Sequence, residues 1–161
     1  MAGILDAVVV GAGSAGLGIS YFLKQQGRDH QVLEQGRIGE TWRTQRWDSF
    51  RLNSPNIRSL LPGDAPDVPD PWGSCTQHQF IAYLESYVER HRLPVITGTS
   101  VGELCTDDGL FLVTTPRGVL RARNVVIASG SLNCRNARLR RRTCPERFAS
   151  SIPRPIAMPP N

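Results

Sequence analysis

No apolar run in this chain approaches the roughly 20 residues of a membrane-spanning helix, and the N-terminus lacks a basic segment followed by a long apolar one. The cytoplasm is therefore the expected compartment, with no membrane span. Cysteine is scarce and scattered. Cys75, Cys105, Cys134 and Cys144 form no CxxC and no paired metal spacing, which argues against a redox dithiol or a structural zinc site. Cys75 and His78 lie three apart, but one such pair without a second is a chance spacing, and no metal ligand is assigned. Internal repeats are absent as well.

A net positive charge is also missing from most of the chain. The formal charge is +5, yet residues 1–130 balance to −1 and residues 131–161 to +6. By charge alone, Arg138, Arg140, Arg141 and Arg142 would suit a nucleic acid or an anionic surface. No aromatic residue interleaves with them and no nucleic-acid motif surrounds them, so nucleic acid is not an expected partner.

What is present is concentrated near the start. The apolar run Val8-Val9-Val10 leads into Gly11-Ala12-Gly13-Ser14-Ala15-Gly16, a helical pattern follows, and Glu34 closes a second apolar run. Strand, GxGxxG, helix and acid in that order form the pattern of a dinucleotide site. Gly11 permits the tight turn off the strand. Gly13 removes a side chain where backbone must approach a pyrophosphate, and Gly16 lets the helix pack closely. Backbone N–H groups from Ser14 onward, backed by the helix dipole, bind an anion without a lysine. A Glu34 carboxylate accepts from ribose hydroxyls and repels a 2′-phosphate, which favours FAD or NAD over NADP at this first site.

The periodicities predict a strand over Leu5–Val10, a helix over Ser14–Gln26 and a strand over Gln31–Glu34. Residues 36–73 are rich in Arg, Trp and Pro without sustained periodicity, as in a segment that wraps a ligand. Thr76-Gln77-His78-Gln79 is a capping box opening a helix whose buried side carries Phe80, Ile81, Leu84, Tyr87 and Val88, ending before Pro94. Val101–Cys105, Leu110–Thr114 and Val119–Ala122 read as a small antiparallel meander, and Asn124–Gly130 as another buried strand ending in a tight turn. His30, His78 and His91 read as surface histidines. The fold class is α/β, with a parallel sheet and a small antiparallel meander.

The runs Gly39-Glu40-Thr41-Trp42-Arg43, then Arg46-Trp47-Asp48-Ser49-Phe50-Arg51-Leu52-Asn53-Ser54-Pro55-Asn56, and Val126-Ile127-Ala128-Ser129-Gly130 add a second layer. In this order they resemble the N-terminal FAD-binding half of bacterial flavin-containing monooxygenase-like proteins. Some of these carry the label of flavoproteins involved in potassium transport, and plant indole-pyruvate monooxygenases are similar too. The resemblance implies a three-layer FAD/NAD(P)-binding (Rossmann-like) domain, truncated here to residues 1–132. It implies that Gly11, Gly13, Ser14, Ala15 and Gly16 hold the FAD pyrophosphate and that Glu34, with Gln35, holds the ribose. Gly39, Trp42, Arg43 and Leu52 would line the flavin side. Asn53 would sit at the reactive side of the ring as the catalytic residue, Val101 at the adenine, and Ser129 and Gly130 at the crossing turn. It also implies a small-molecule substrate, reduction of FAD by NADPH, and transfer of one oxygen atom from O2 to a soft nucleophile or a carbonyl. NADPH would enter only through a second domain, for which no second GxGxxG appears after Gly130. Read from residue chemistry alone, a tryptophan in a long loop such as Trp42 is more often a core plug than a cofactor wall, and an asparagine before Ser-Pro such as Asn53 is more often a turn former.

Other readings stay open beside this one. A pyridine-nucleotide disulfide oxidoreductase shares the first motif but needs a dithiol, and the alternatives from a different class are a non-catalytic dinucleotide-binding or interaction module and a non-functional remnant. At 161 residues it has about half the length of a two-nucleotide flavoenzyme, so an incomplete fragment is the expectation. The tail, residues 133–161, departs from the family. The expected proline-rich link and Gln-x-His-x-x-x-Tyr-Arg segment are replaced by an Arg- and Pro-rich stretch. Back-translated with GC-rich codons and read two bases later, the tail permits a segment reading Gln-Leu-His-Thr-Ala-Thr-Tyr-Arg, so a shift of reading frame is expected after codon 132. Coding DNA from this point should continue, in the shifted frame, into a second glycine-rich loop; its absence there would sink the idea.

Overall fold

The computed structural model describes residues 3–130, so the expectations for the 133–161 tail lie outside the described residues. Strand β1 (Leu5–Val10) organises the interior. Ala7, Val8 and Val9 are at most 2% exposed, because a central strand of a sheet is covered on both faces. Val9 joins Leu17 of α1 (Ser14–Gln25), Val32 of β2 (His30–Leu33) and Phe80, Leu84 and Tyr87 of α3 (Gln77–His91) in the main core cluster. Val8 points to the other face, as successive strand residues must, and joins a second cluster with Leu33, Val113 and Ala122. Full burial of each such side chain contributes about 1.5–3 kcal/mol.

The remaining strands are β3 (Val95–Ile96), β4 (Glu103–Asp107), β5 (Leu110–Thr115) and β6 (Gly118–Ile127). All six form one sheet in the order β3-β2-β1-β6-β5-β4. Neighbours are parallel from β3 to β6 and antiparallel from β6 to β4. This mixed sheet with its helices is a Rossmann-like α/β arrangement. Among the described residues no helix is long and apolar enough to cross a membrane.

Several elements differ from the expectation, each for a physical reason. Val119–Ala122 and Asn124–Ile127 are one continuous ten-residue strand, because neither Gly nor Pro interrupts the run, and its second half is not buried as expected, with Ile127 47% exposed. Its first half pairs with β5 and its second with β1, and Ala122 has a partner on both sides, Phe111 and Leu5. β4 begins at Glu103 and not at Val101. The turn at Asp108-Gly109 has positive φ at both residues, 46° and 74°, which pairs Asp107 directly with Leu110 and shifts the strand along. β3 has no counterpart in the sequence reading. It is two residues long, and β2 binds it through Val32 N–H to Pro94 O and Glu34 N–H to Ile96 O, both 2.9 Å. The 36–73 segment contains a short helix, α2 (Glu40–Thr44), and a 3-10 turn at Asn56–Arg58.

The capping box closes in both directions: Gln79 N–H donates to Thr76 Oγ1, and Thr76 N–H donates to Gln79 Oε1 at 2.8 Å. His78 is exposed and His91 half-buried, but His30 is only 5% exposed, which corrects its reading as a surface residue. Its Nδ1 lies 2.9 Å from Arg28 O, a carbonyl that can only accept, so Nδ1 carries the proton. Nε2 then accepts from the buried Ser20 hydroxyl at 2.8 Å. This pair pins α1 to the start of β2.

Replacing Ser20 with Ala leaves His30 Nε2 buried without a donor, and urea denaturation should show a loss of about 1–3 kcal/mol. An unchanged midpoint would mean that the pair contributes nothing net.

Candidate functional site

The turn between β1 and α1 is set by three glycines with different surroundings. Gly11 has φ +108°, and a Cβ there would lie 2.5 Å from Ala128 O. A Cβ on Gly16 would overlap the carbonyl oxygen of Gly11. Both glycines are therefore demanded by protein packing. Gly13 differs. Its φ of −86° suits any residue, and a Cβ would meet no atom within 4 Å. Gly13 is also the N-cap of α1, and no side chain caps that end of the helix. The first-turn N–H groups of α1 thus look onto open space, where an anion is favoured by the donors and the helix dipole together.

Glu34 follows β2 and faces this turn. Its Oε2 accepts from Ala12 N–H at 2.8 Å and its Oε1 from Gly36 N–H at 2.9 Å. The carboxylate ties the glycine turn to the β2 exit, and the lone pairs left on both oxygens can accept hydroxyl donors. Thr99 N–H donates to Glu34 O and Gly98 N–H to Gly36 O, which brings the 97–101 segment alongside. Ala128 N–H donates to Val10 O at 2.8 Å, so the Ala128–Gly130 turn crosses directly over Gly11. The ends of β1, β2 and β6 converge here, as ligand sites in open α/β sheets do.

Beyond the turn lies a cavity of about 580 Å³ lined by Ser14, Trp42, Leu52 and Asn53 together with Arg46, Phe50, Arg58, Leu61 and Phe80. Trp42 packs against the main cluster, edge-on to Phe80 at 4.9 Å between ring centres, and also lines the cavity. The Arg46 guanidinium lies 5.1 Å from the Trp42 ring centre and 5.2 Å from that of Phe50, a cation–π arrangement. Its Nε is buried and has no acceptor among the described residues. Arg46 and Arg58 line the cavity and no acid does, so its chemistry suits a ligand with anionic or carbonyl oxygens. The four-residue spacing of Trp42, Arg46 and Phe50 is the local signal for this arrangement.

The remaining expected residues take the following places. The Arg43 guanidinium pairs with Glu85 and ties α2 to α3. Gly39 caps α2 with φ +70°, and a Cβ there would touch Ile81 and Leu84. Ala15, Gln35, Asn53, Ser129 and Gly130 are exposed, whereas Val101 is half-buried against the second cluster. Glu40 is held down to about 2 by its bonds from Arg37 at the start of α2.

The cavity wall at Leu60–Leu61 is held from behind by α3. Leu61 N–H donates to the Tyr83 hydroxyl at 2.6 Å, and that hydroxyl donates to Asp64 at 2.7 Å. Arg90 donates to both Asp64 oxygens at 3.0 Å, and His91 Nε2 lies 3.3 Å away. Burial opposes the Asp64 charge, but the bonds from Tyr83, Arg90 and His91 outweigh it and hold this carboxyl below its ordinary range. Burial likewise pushes the Tyr83 hydroxyl well above the usual phenol range, so it stays a neutral donor.

Comparison with known proteins agrees with this geometry. The family model described as pyridine nucleotide-disulphide oxidoreductase matches residues 8–138. An uncharacterized CzcO-like oxidoreductase of Geobacillus kaustophilus (strain HTA426) is 40% identical over 128 residues, covering 79% of this chain and 36% of that protein. Indole-3-pyruvate monooxygenase YUCCA8 of Oryza sativa subsp. indica is 32% identical over 129 residues, 76% of this chain and 30% of that one. Among solved structures, a flavin-containing monooxygenase from Stenotrophomonas maltophilia superposes with a TM-score of 0.70 at 29% identity, over 81% of this chain and 39% of that chain. The chain spans about a third of the length of the curated relatives it matches.

Tyr83→Phe removes both hydroxyl bonds and should destabilise the fold by about 1–3 kcal/mol in urea titrations. Because the folded-state pKa of Asp64 is depressed, its contribution is complete above the ordinary carboxyl range near pH 3.9 and fades as pH falls below it. Asp64→Asn should flatten that acid limb of the stability profile; an unaltered limb would contradict the assignment.

Proposed function

The chain belongs to the pyridine nucleotide-disulphide oxidoreductase family, and from that premise we propose that residues 1–132 form the N-terminal part of an FAD-binding domain in an oxidoreductase of flavin-containing monooxygenase type. The observation that carries this reading is the division among the glycines. Gly11 and Gly16 are required by backbone contacts, whereas a Cβ on Gly13 would meet no atom of the protein within 4 Å. A ligand backbone explains the open space.

In this reading the N–H groups of Ser14, Ala15 and Gly16 hold the pyrophosphate. Glu34, already fixed by Ala12 and Gly36, accepts from the ribose hydroxyls and excludes a 2′-phosphate. Gln35 flanks the same ribose, and the 97–101 segment, with Val101, meets the adenine. Trp42 and Leu52 offer apolar surface to the ring system. Arg46, which lines the same cavity, donates from its guanidinium to a carbonyl or phosphate oxygen. Arg43 acts through its pairing with Glu85, placing α2 and hence Trp42. Asn53 presents one amide that can donate and accept at the reactive edge of the ring. Ser129 and Gly130 cross over the ligand at the β6 exit.

When bound, FAD supplies the redox chemistry. The chain's own contribution is to bind and orient it, and to keep water from one side of the ring with Leu52, Leu61 and Phe80. NADPH binding belongs to the part of the relatives that this chain does not span, and the substrate is a small organic molecule. A monooxygenase type is favoured over a dithiol type because the four cysteines lack CxxC spacing.

Incubation with FAD and removal of free cofactor should leave flavin absorption bands on the purified chain. Gly13→Val should keep the fold, since its φ is ordinary and its Cβ meets nothing, yet weaken FAD binding by about two orders of magnitude. Gly11→Ala should unfold the chain instead. A colourless wild type, or Gly13→Val binding FAD as wild type does, would overturn the reading.

A further inference from the structure

A second cavity, of about 390 Å³, lies on the other side of the Leu60 wall and falls in the size range of small-molecule sites. It is walled by the 51–60 segment, the 68–75 segment and the first turns of α3. These walls are clamped together. Asn56 Nδ2 donates to Asp70 O at 2.9 Å, Asn56 N–H to Gly73 O at 2.9 Å and Ile57 N–H to Pro71 O at 3.1 Å. Arg51 Nη1 donates to Ser74 O at 2.7 Å and Leu52 N–H to Cys75 O at 3.0 Å. The space is thus preformed, and entry of a ligand need not pay for ordering the loops.

Its chemistry is apolar and without net charge. Leu60, Val68, Pro69 and Phe80 line it along with the Tyr83 ring, and its two ionic residues, Arg51 and Asp70, are opposite in sign. Arg51 already serves Ser74, and Asp70 Oδ1 accepts from Gly73 N–H at 3.1 Å. Ser59, Leu60 and Phe80 border this cavity and the larger one alike. A molecule held here is one layer of side chains from the ring-binding space.

We propose that the smaller cavity is a binding site for a small, uncharged, largely apolar molecule, held against the Leu60–Phe80 wall that separates it from the larger cavity.

The test is calorimetric titration of the full chain with methyl phenyl sulfide, with and without FAD, and with benzoate as the charged comparator. The sulfide should bind about equally in both states, and benzoate at least tenfold more weakly. Val68→Trp, which fills the cavity, should weaken the sulfide at least tenfold and leave FAD retention unchanged. Independently of that variant's folding, the sulfide should slow maleimide labelling of wild-type Cys75, a lining residue, severalfold by peptide mass spectrometry. Competition between FAD and the sulfide, benzoate binding as tightly, or unprotected Cys75 would each overturn the proposal. Failure to retain FAD would overturn the cofactor reading instead, and the sulfide, benzoate and labelling results would still decide this one.

Discussion

Two backbones meet at the exit of the central strand with no room for a side chain between them. Gly11 lies against Ala128 and Ser129, and Gly16 lies against Gly11 itself. This contact sets the direction in which α1 leaves β1, and with it the face of the sheet on which Leu17 packs against Val9 and Val32. It also fixes where β6 ends, since Ala128 N–H closes on Val10 O. The Glu34 carboxylate extends the same constraint sideways to β2. The open space above Gly13 is what remains once these approaches are satisfied.

A second, polar constraint comes from α3. Tyr83, Tyr87 and the Asp64 cluster turn one face of that helix into a clamp for the Leu61–Asp64 corner: Leu61 N–H donates to Tyr83, and the Tyr87 hydroxyl donates to Pro62 O at 2.7 Å. Leu61 borders the larger cavity, and Tyr83 the smaller. The helix that supplies much of the apolar core thus also shapes both binding spaces. The site combines rigid strand ends, which offer backbone donors, with a long loop pinned at intervals, which offers side chains; such a division is common where chemistry varies on a constant scaffold.

Much of this was legible from local pattern. The β1–GxGxxG–α1 unit, the second strand, the capped helix at Thr76 and the hairpin at Asp108-Gly109 each announce themselves within a dozen residues, because strand alternation, caps and primed turns depend on neighbours in the chain. The less legible parts share one cause. β3 exists only because β2 has a free edge to pair with, and two residues carry no periodicity. His30 looks like a loop histidine until Ser20, ten residues away, is placed against it. Arg43 was expected beside the cofactor, and its pairing with Glu85, 42 residues on, is invisible to spacing.

Residue order alone therefore specifies the nucleotide-type turn, the α/β class and the set of residues from which a site can be built, since glycine placement and hydrophobic period act locally. Three-dimensional packing was needed to make β6 a single strand shared between parallel and antiparallel neighbours, to set Arg46 on Trp42, and to open two cavities on either side of Leu60. These outcomes depend on contacts between segments tens of residues apart, and such contacts are determined by which surfaces close-pack, a property that no single stretch of the chain possesses.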